Sequence, residues 1–234
     1  MKKLLIKTIT FLFLIIMFLH VNINTVLADD IDIESTNFSA INVSSNISDD
    51  LSSINSRAYV VIDRKSGIIL VGKNETEKRK MASTTKIMTA TIIIENCNLD
   101  ETIEVSSKAA GTGGSRLGLK KGDKITVKDL LYGLMLCSGN DAAVALAEHV
   151  GGSVDGFAEL MNKKAEEFNL KNTHFETPHG LDSDNHYTTA YELALLSNYA
   201  LNNEIFSKIV GTKNYTVTIN GYPKNITNTN ELLR

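Results

Sequence analysis

Cysteine, net charge, repeats and nucleotide motifs are what this chain has least of. Cys97 and Cys137 are the only cysteines. Two cysteines make no disulfide framework, so a small fold stapled by bridges is excluded. An exported protein could pair them, but two free thiols is the simpler reading. No internal repeat is visible, which excludes solenoid architectures. The Gly-rich stretch Gly111 to Gly118 lacks the Gly-Lys-Ser/Thr ending of a phosphate loop. Its Ser115 and Arg116 are candidates for the border of a cleft. His174, His179 and His186, with Asp182 and Asp184, follow no compact zinc spacing, so no metal is expected. Charge of one sign is also missing. Lys2, Lys3 and Lys7 are the only charges in residues 1–28, and residues 29–56 hold six acids and no base. The part from Arg57 onward is therefore neutral overall. A neutral domain carries no electrostatic footprint for nucleic acid.

What is present begins with an export pattern: the basic start, an apolar run from Phe11 to Leu19, and Val26 and Ala28 at small-residue positions. Cleavage after Ala28 is predicted. The alternative is an uncleaved anchor, for which the strict apolar run is short, since spanning takes about 18 to 20 residues. Residues 29–56 are rich in Ser, Asn and Asp and bury too little apolar surface to offset ordering entropy, so they read as a flexible spacer. Residues 57–234 suffice for one domain with a real core.

Within that domain, Arg57 to Asp63 and Ile68 to Val71 flank the turn Arg64-Lys65-Ser66-Gly67 and predict a hairpin. A helix starting near Ala82 is apolar on nearly all sides and so belongs in a core. Leu99 to Lys124 reads as irregular. Further helices are predicted over Thr126 to Leu136 (capped by Thr126, with Asp129 in the capping-box position), Asp141 to Val150 (closed by Gly151-Gly152), Val154 to Phe168 and Thr188 to Leu201. Asn220-Gly221 between Asn214 to Ile219 and Tyr222 to Thr227 signals a type I′ hairpin. Strands at both ends with helices between them predict an α+β domain. The strands are few for a complete sheet.

The chemistry lies in two short motifs. Ser83 and Lys86 are three apart at the head of the apolar helix, so they share a face. A serine hydroxyl needs a base to become a nucleophile. Lysine is a base only when neutral, and bringing its pKa from about 10.4 to about 7 requires roughly 4.6 kcal/mol, within the reach of burial. The helix start favours negative charge, and the Ser83 N–H could hold an oxyanion. Alone, the pattern also fits Ser83 as a helix cap and Lys86 on the surface. Ser138-Gly139-Asn140 lies between two apolar helices, where a polar loop needs a reason. It fits a second hydroxyl that relays protons and an amide that binds a substrate amide. It also fits a capping turn ahead of Asp141.

In this order the motifs are those of class A β-lactamases and penicillin-binding proteins: S-x-x-K, then S-x-N, then K-T-G. The chain resembles the low-molecular-weight penicillin-binding proteins, the serine-type D-alanyl-D-alanine carboxypeptidases. The resemblance extends through Ala82 to Ala90, KDLLYGLMLCSGNDAAVALAEHVGGS, MNKKAEEFNLKNTHFETPHGLDSDNHYTTAYELALLS and the closing NTNELL. It implies a β-lactamase/transpeptidase-like fold, an antiparallel sheet with a helical cluster, and no metal or organic cofactor. Carried over, Ser83 attacks the D-Ala-D-Ala carbonyl of a peptidoglycan stem peptide, Lys86 is the base, Ser138 passes a proton to the leaving D-Ala, and Asn140 holds the peptide amide. β-Lactams would acylate the same serine. The expected location is outside the cytoplasmic membrane, with membrane association only through the leader or a carboxyl-terminal anchor. No Lys-Thr-Gly follows; Lys65-Ser66-Gly67 precedes the nucleophile and lies in a hairpin turn. The expectation is a truncated piece of a longer protein with its sheet incomplete and its activity impaired. The alternatives are a β-lactamase, marked by fast penicillin turnover, and a non-catalytic cell-wall or β-lactam binding module.

Overall fold

The computed structural model describes residues 54–181 and 183–233. The predicted leader, its cleavage point after Ala28 and nearly all of the spacer lie outside the described residues, as does Asp182. Strand β1 (Tyr59–Ile62) pairs antiparallel with β2 (Ile69–Lys73), as the sequence predicts. The connecting turn is tied by Asp63, whose carboxylate accepts from the Ser66 N–H and hydroxyl. Met81 then leads into a 3-10 turn, Ala82–Thr85, which runs directly into α1 (Lys86–Asn96). The first turn of the expected helix is therefore wound more tightly than the rest, and Ser83 sits on it.

Helix α1 is the hub. Met88, Ala90, Ile92 and Ile93 are buried, with Ile87 and Ile94 partly so. Each fully buried isoleucine contributes about 1.5–3 kcal/mol. Around α1 stand α3 (Val127–Leu136), α4 (Asn140–Gly151), α5 (Val154–Glu167), α6 (Ala190–Leu201) and α7 (Glu204–Val210). Thr126 accepts from the Asp129 N–H at the start of α3, and Gly152 ends α4 in the left-handed conformation, as the capping residues predict. Leu130, Leu131, Leu134 and Leu136 of α3, Ala142 to Ala147 of α4, and Phe157, Met161 and Ala165 of α5 complete the core.

Two stretches differ from the sequence expectation. Leu99 to Lys124, read as irregular, holds β3 (Thr102–Glu104) and α2 (Ser107–Gly111), and Lys124 opens β4 (Lys124–Thr126), which pairs antiparallel with β3. Each strand buries a single apolar side chain, Ile103 or Ile125, so no alternation shows in the sequence. Helix α7 was not expected. It is seven residues long, too short for a clear period, and begins where the Asn203 side chain accepts from the N–H groups of Ile205 and Phe206.

Strands β5 (Asn214–Ile219) and β6 (Tyr222–Thr227) form the type I′ hairpin, with Asn220 at φ 53° and Gly221 at φ 82°. Asp129 docks it on α3: its carboxylate accepts from the Tyr215 hydroxyl at 2.9 Å and the Thr218 N–H at 2.8 Å. Tyr215 also stacks flat on Tyr132. Burial and the bond to Asp129 push the Tyr215 phenol well above its ordinary pKa. The architecture is α+β. Its strands form three antiparallel two-stranded ladders, and the β5–β6 turn reaches β4, where the Asn220 N–H donates to the Lys124 carbonyl at 2.9 Å. No described helix is long and apolar enough to cross a membrane.

Candidate active site

Lys86 belongs to a residue type usually found on the surface, yet it is 2% exposed. Its ammonium donates to Ser83 Oγ at 3.0 Å, Asn140 Oδ1 at 2.8 Å and the His179 carbonyl at 3.0 Å. These use the three N–H groups that an ammonium has. None of the acceptors carries a charge, and burial lowers the Lys86 pKa from its ordinary 10.5 to about 8. The direction is the one the sequence reading requires, and its cause is burial. Once neutral, the amine keeps N–H groups for Asn140 and His179 and turns its lone pair to the Ser83 hydroxyl. Neither bland alternative survives: Lys86 is not on the surface, and no side chain caps the 3-10 turn or α1.

Asn140 is the meeting point of two loops. Its Nδ2 donates to the Gly113 carbonyl at 2.8 Å and its backbone N–H to the Ser115 carbonyl at 2.8 Å. Next to it, the wholly buried Asp141 carboxylate accepts from the N–H groups of Leu117, Gly118 and Leu119 at 2.7–2.9 Å. The Gly-rich loop is thus folded onto the head of α4. Ser115 reaches the site through its carbonyl, while the Arg116 guanidinium donates to the Ala110 carbonyl and lies 3.9 Å from the Asp141 carboxylate. Ser138 occupies the turn between α3 and α4 at φ 53°, half-buried. Among the described residues no hydrogen bond joins it to Ser83 or Lys86. Neither Ser138 nor Asn140 caps α4 through its side chain; Gly139 stands at that position. The expected convergence of the two motifs is therefore made through Asn140.

The segment from His174 to Thr189 closes the other side. It pairs with the approach to Ser83 through a bridge between Arg79 and Thr188. Thr89 Oγ1 donates to the Pro178 carbonyl at 2.7 Å. Gly180, at φ 82°, lies so close that a β-carbon there would sit 1.9 Å from the Ala82 carbonyl oxygen and 2.5 Å from Thr85 Oγ1. Gly180→Ala is expected to push this segment off α1 and to lower thermal stability by more than about 2 kcal/mol, from the steric conflict and the positive φ together; a melting curve matching that of the unmodified protein would contradict the fit. Burial, with the charge of Lys86 adding to it, lowers the His179 imidazole to about 4, so it stays neutral beside the lysine. The three histidines do not gather: His174 Nδ1 meets the Asn185 carbonyl, His179 Nδ1 the Leu181 N–H, and His186 the side chain of Thr85. Cys97 and Cys137 are free.

A serine, a buried lysine and an Asn-bearing loop in this geometry agree with the comparison by sequence, in which the model of the D-alanyl-D-alanine carboxypeptidase family matches residues 43–234. The chain belongs to the D-alanyl-D-alanine carboxypeptidase family. D-alanyl-D-alanine carboxypeptidase DacF of Bacillus subtilis is 41% identical over 161 residues, covering 67% of this chain and 41% of that protein. Among solved structures, penicillin binding protein 6B from Escherichia coli superposes with a TM-score of 0.67 at 37% identity, over 75% of this chain and 58% of the other. The D-alanyl-D-alanine carboxypeptidase from Mycobacterium tuberculosis gives a TM-score of 0.72 at 30% identity, over 76% and 68%. The chain spans about two-fifths of the length of the first curated relatives it matches.

In this family member, the residues that sequence reasoning missed are those that act through the backbone or through contact. The His179 carbonyl, Gly180, Thr85, His186 and Asp141 all shape the surroundings of Ser83 and Lys86. A carbonyl has no side-chain signature, and a contact across about a hundred residues leaves no local pattern. The one available signal was Asp141, an acid at the first turn of an otherwise alanine-rich helix.

Proposed function

We propose that this chain carries the acyl-transfer centre of a serine D-Ala-D-Ala carboxypeptidase acting on peptidoglycan stem peptides outside the cytoplasmic membrane. The carrying observation is the 3.0 Å contact between Lys86 Nζ and Ser83 Oγ, made by a lysine that burial has shifted to about 8. In this reading neutral Lys86 takes the Ser83 proton as Oγ attacks the carbonyl between the two D-Ala residues. The tetrahedral intermediate collapses to an ester on Ser83. Ser138 passes a proton to the departing D-Ala, and water then hydrolyses the ester. Asn140 holds the peptide amide with the Nδ2 hydrogen that Gly113 does not use. A penicillin would open its lactam on the same oxygen and remain attached as a slow ester.

The test is covalent labelling with a fluorescent penicillin, together with release of D-Ala from a peptide ending in D-Ala-D-Ala. Labelling is expected in the unmodified protein and absent in Ser83→Ala at unchanged melting temperature; label retained by Ser83→Ala would overturn the assignment. Labelling without D-Ala release would select instead a β-lactam or cell-wall binding module without turnover.

A further inference from the structure

Behind the nucleophile runs a chain of hydrogen bonds with only one consistent direction. The Glu176 N–H donates to His186 Nδ1 at 2.9 Å, so Nδ1 is an acceptor. His186 Nε2 lies 2.7 Å from Thr85 Oγ1, and the Thr85 hydroxyl donates to the Ala82 carbonyl at 2.7 Å. The hydroxyl proton being spent on Ala82, Thr85 must accept from Nε2–H. The imidazole is thereby fixed as its neutral Nε2–H tautomer. Both His186 and Thr85 are buried, at 1% and 0% exposure.

The chain ends on a strained peptide unit. Ala82 has φ 46°, a left-handed conformation that costs a residue with a β-carbon about 1–2 kcal/mol and persists only where its surroundings impose it. The Ala82 carbonyl and the Ser83 N–H belong to the same planar unit and point in opposite directions. Holding the carbonyl toward Thr85 therefore aims the Ser83 N–H away from it. Among the described residues that N–H has no acceptor. The two bonds from His186 to Ala82 thus set both the backbone that carries Oγ and the direction of one free donor beside it.

We propose that His186 is a positioning residue for Ser83, acting through the Thr85 hydroxyl and the Ala82 carbonyl. The proposal rests on the acyl-transfer reading above. It assigns the buried histidine and the second threonine of Ser83-Thr84-Thr85-Lys86 a role in orienting the nucleophile, distinct from the basicity that Lys86 provides.

Thr85→Val removes the hydroxyl and keeps the shape; His186→Phe removes the donor and keeps a ring; His186→Gln keeps an N–H able to reach Thr85. With fluorescent penicillin, Thr85→Val and His186→Phe are each expected to lower the limiting acylation rate by about 10- to 100-fold, the loss typical of a misplaced reacting group. The dissociation constant before acylation stays the same, the double variant is no slower than the worse single one, and His186→Gln recovers part of the rate. Unchanged limiting rates in folded variants, or losses that simply multiply, would overturn the proposal. Should the unmodified protein take no label, the acyl-transfer reading fails, and the positioning is read separately from the amide resonance of Ser83. That resonance is expected to shift in both Thr85→Val and His186→Phe; its remaining in place in both would sink the inference.

Discussion

Replacing Lys86 with methionine is expected to slow acylation of Ser83 by about 10²- to 10⁴-fold, the usual contribution of a positioned base. Methionine fills a similar volume but offers no lone pair to the serine hydroxyl and no N–H to Asn140 or His179. The effect should come with a change in pH dependence. With its pKa lowered from 10.5 to about 8, Lys86 is largely protonated at pH 7 and largely neutral at pH 9. The acylation rate of the unmodified protein is therefore expected to rise with pH through a midpoint near 8. Stability carries the same signature. Between about pH 8 and 10.5 the unfolded chain holds the lysine proton that the folded chain has released, so stability rises with pH across that window. The full rise is about 3 kcal/mol. Below the window both states are protonated, and the fold carries the whole cost of a buried ammonium. In Lys86→Met both the rate limb and the stability rise disappear. Stopped-flow labelling and urea titrations across this range test the two together. An unchanged pH profile in the variant would assign the proton transfer to another group.

The second large effect is expected at Asp141, which touches neither Ser83 nor Lys86. Its buried carboxylate accepts from the N–H groups of Leu117, Gly118 and Leu119 and from that of Ala142. Alanine in its place leaves three loop amides without their acceptor, each costing about 1–3 kcal/mol if it stays buried. A loss near 4 kcal/mol corresponds to a fall in melting temperature of about 10 °C for a domain of this size. The loop that Asp141 holds also supplies the Gly113 and Ser115 carbonyls to Asn140. Acylation is expected to fall along with stability, although no group that touches the reacting atoms has changed. Calorimetry and penicillin labelling of Asp141→Ala check both; a melting temperature within about a degree of the unmodified protein would show that the loop is held elsewhere.

Much of this arrangement could be read before any coordinates. The apolar residues from Ile87 to Ile94 announced a buried helix, and α1 is the hub of the core. Thr126, Gly152 and Asn220-Gly221 carry their conformations in their own side chains or lack of them, and each stands where it was expected. Short elements escaped because they hold too few residues for a period: β3 and β4 bury one isoleucine apiece, and α7 spans two turns. In the site, Ser83, Lys86 and Asn140 were legible as types at a spacing, and they meet. Ser138 was named on the same grounds, yet no hydrogen bond ties it to the other two among the described residues.

The sequence by itself determined which groups can react: a serine one turn ahead of a lysine on an apolar helix, and a later Ser-Gly-Asn turn, because spacing along a helix is a local property. Tertiary structure alone decided that the lysine is buried and its pKa lowered. Its burial, its bonds to Asn140 and the His179 carbonyl, the neutral His179 beside it and the Thr85–His186 bond behind the serine come from segments between about fifty and a hundred residues away. A pKa and a peptide orientation depend on what surrounds a group in space, and nothing in the order of residues near Lys86 states what that will be.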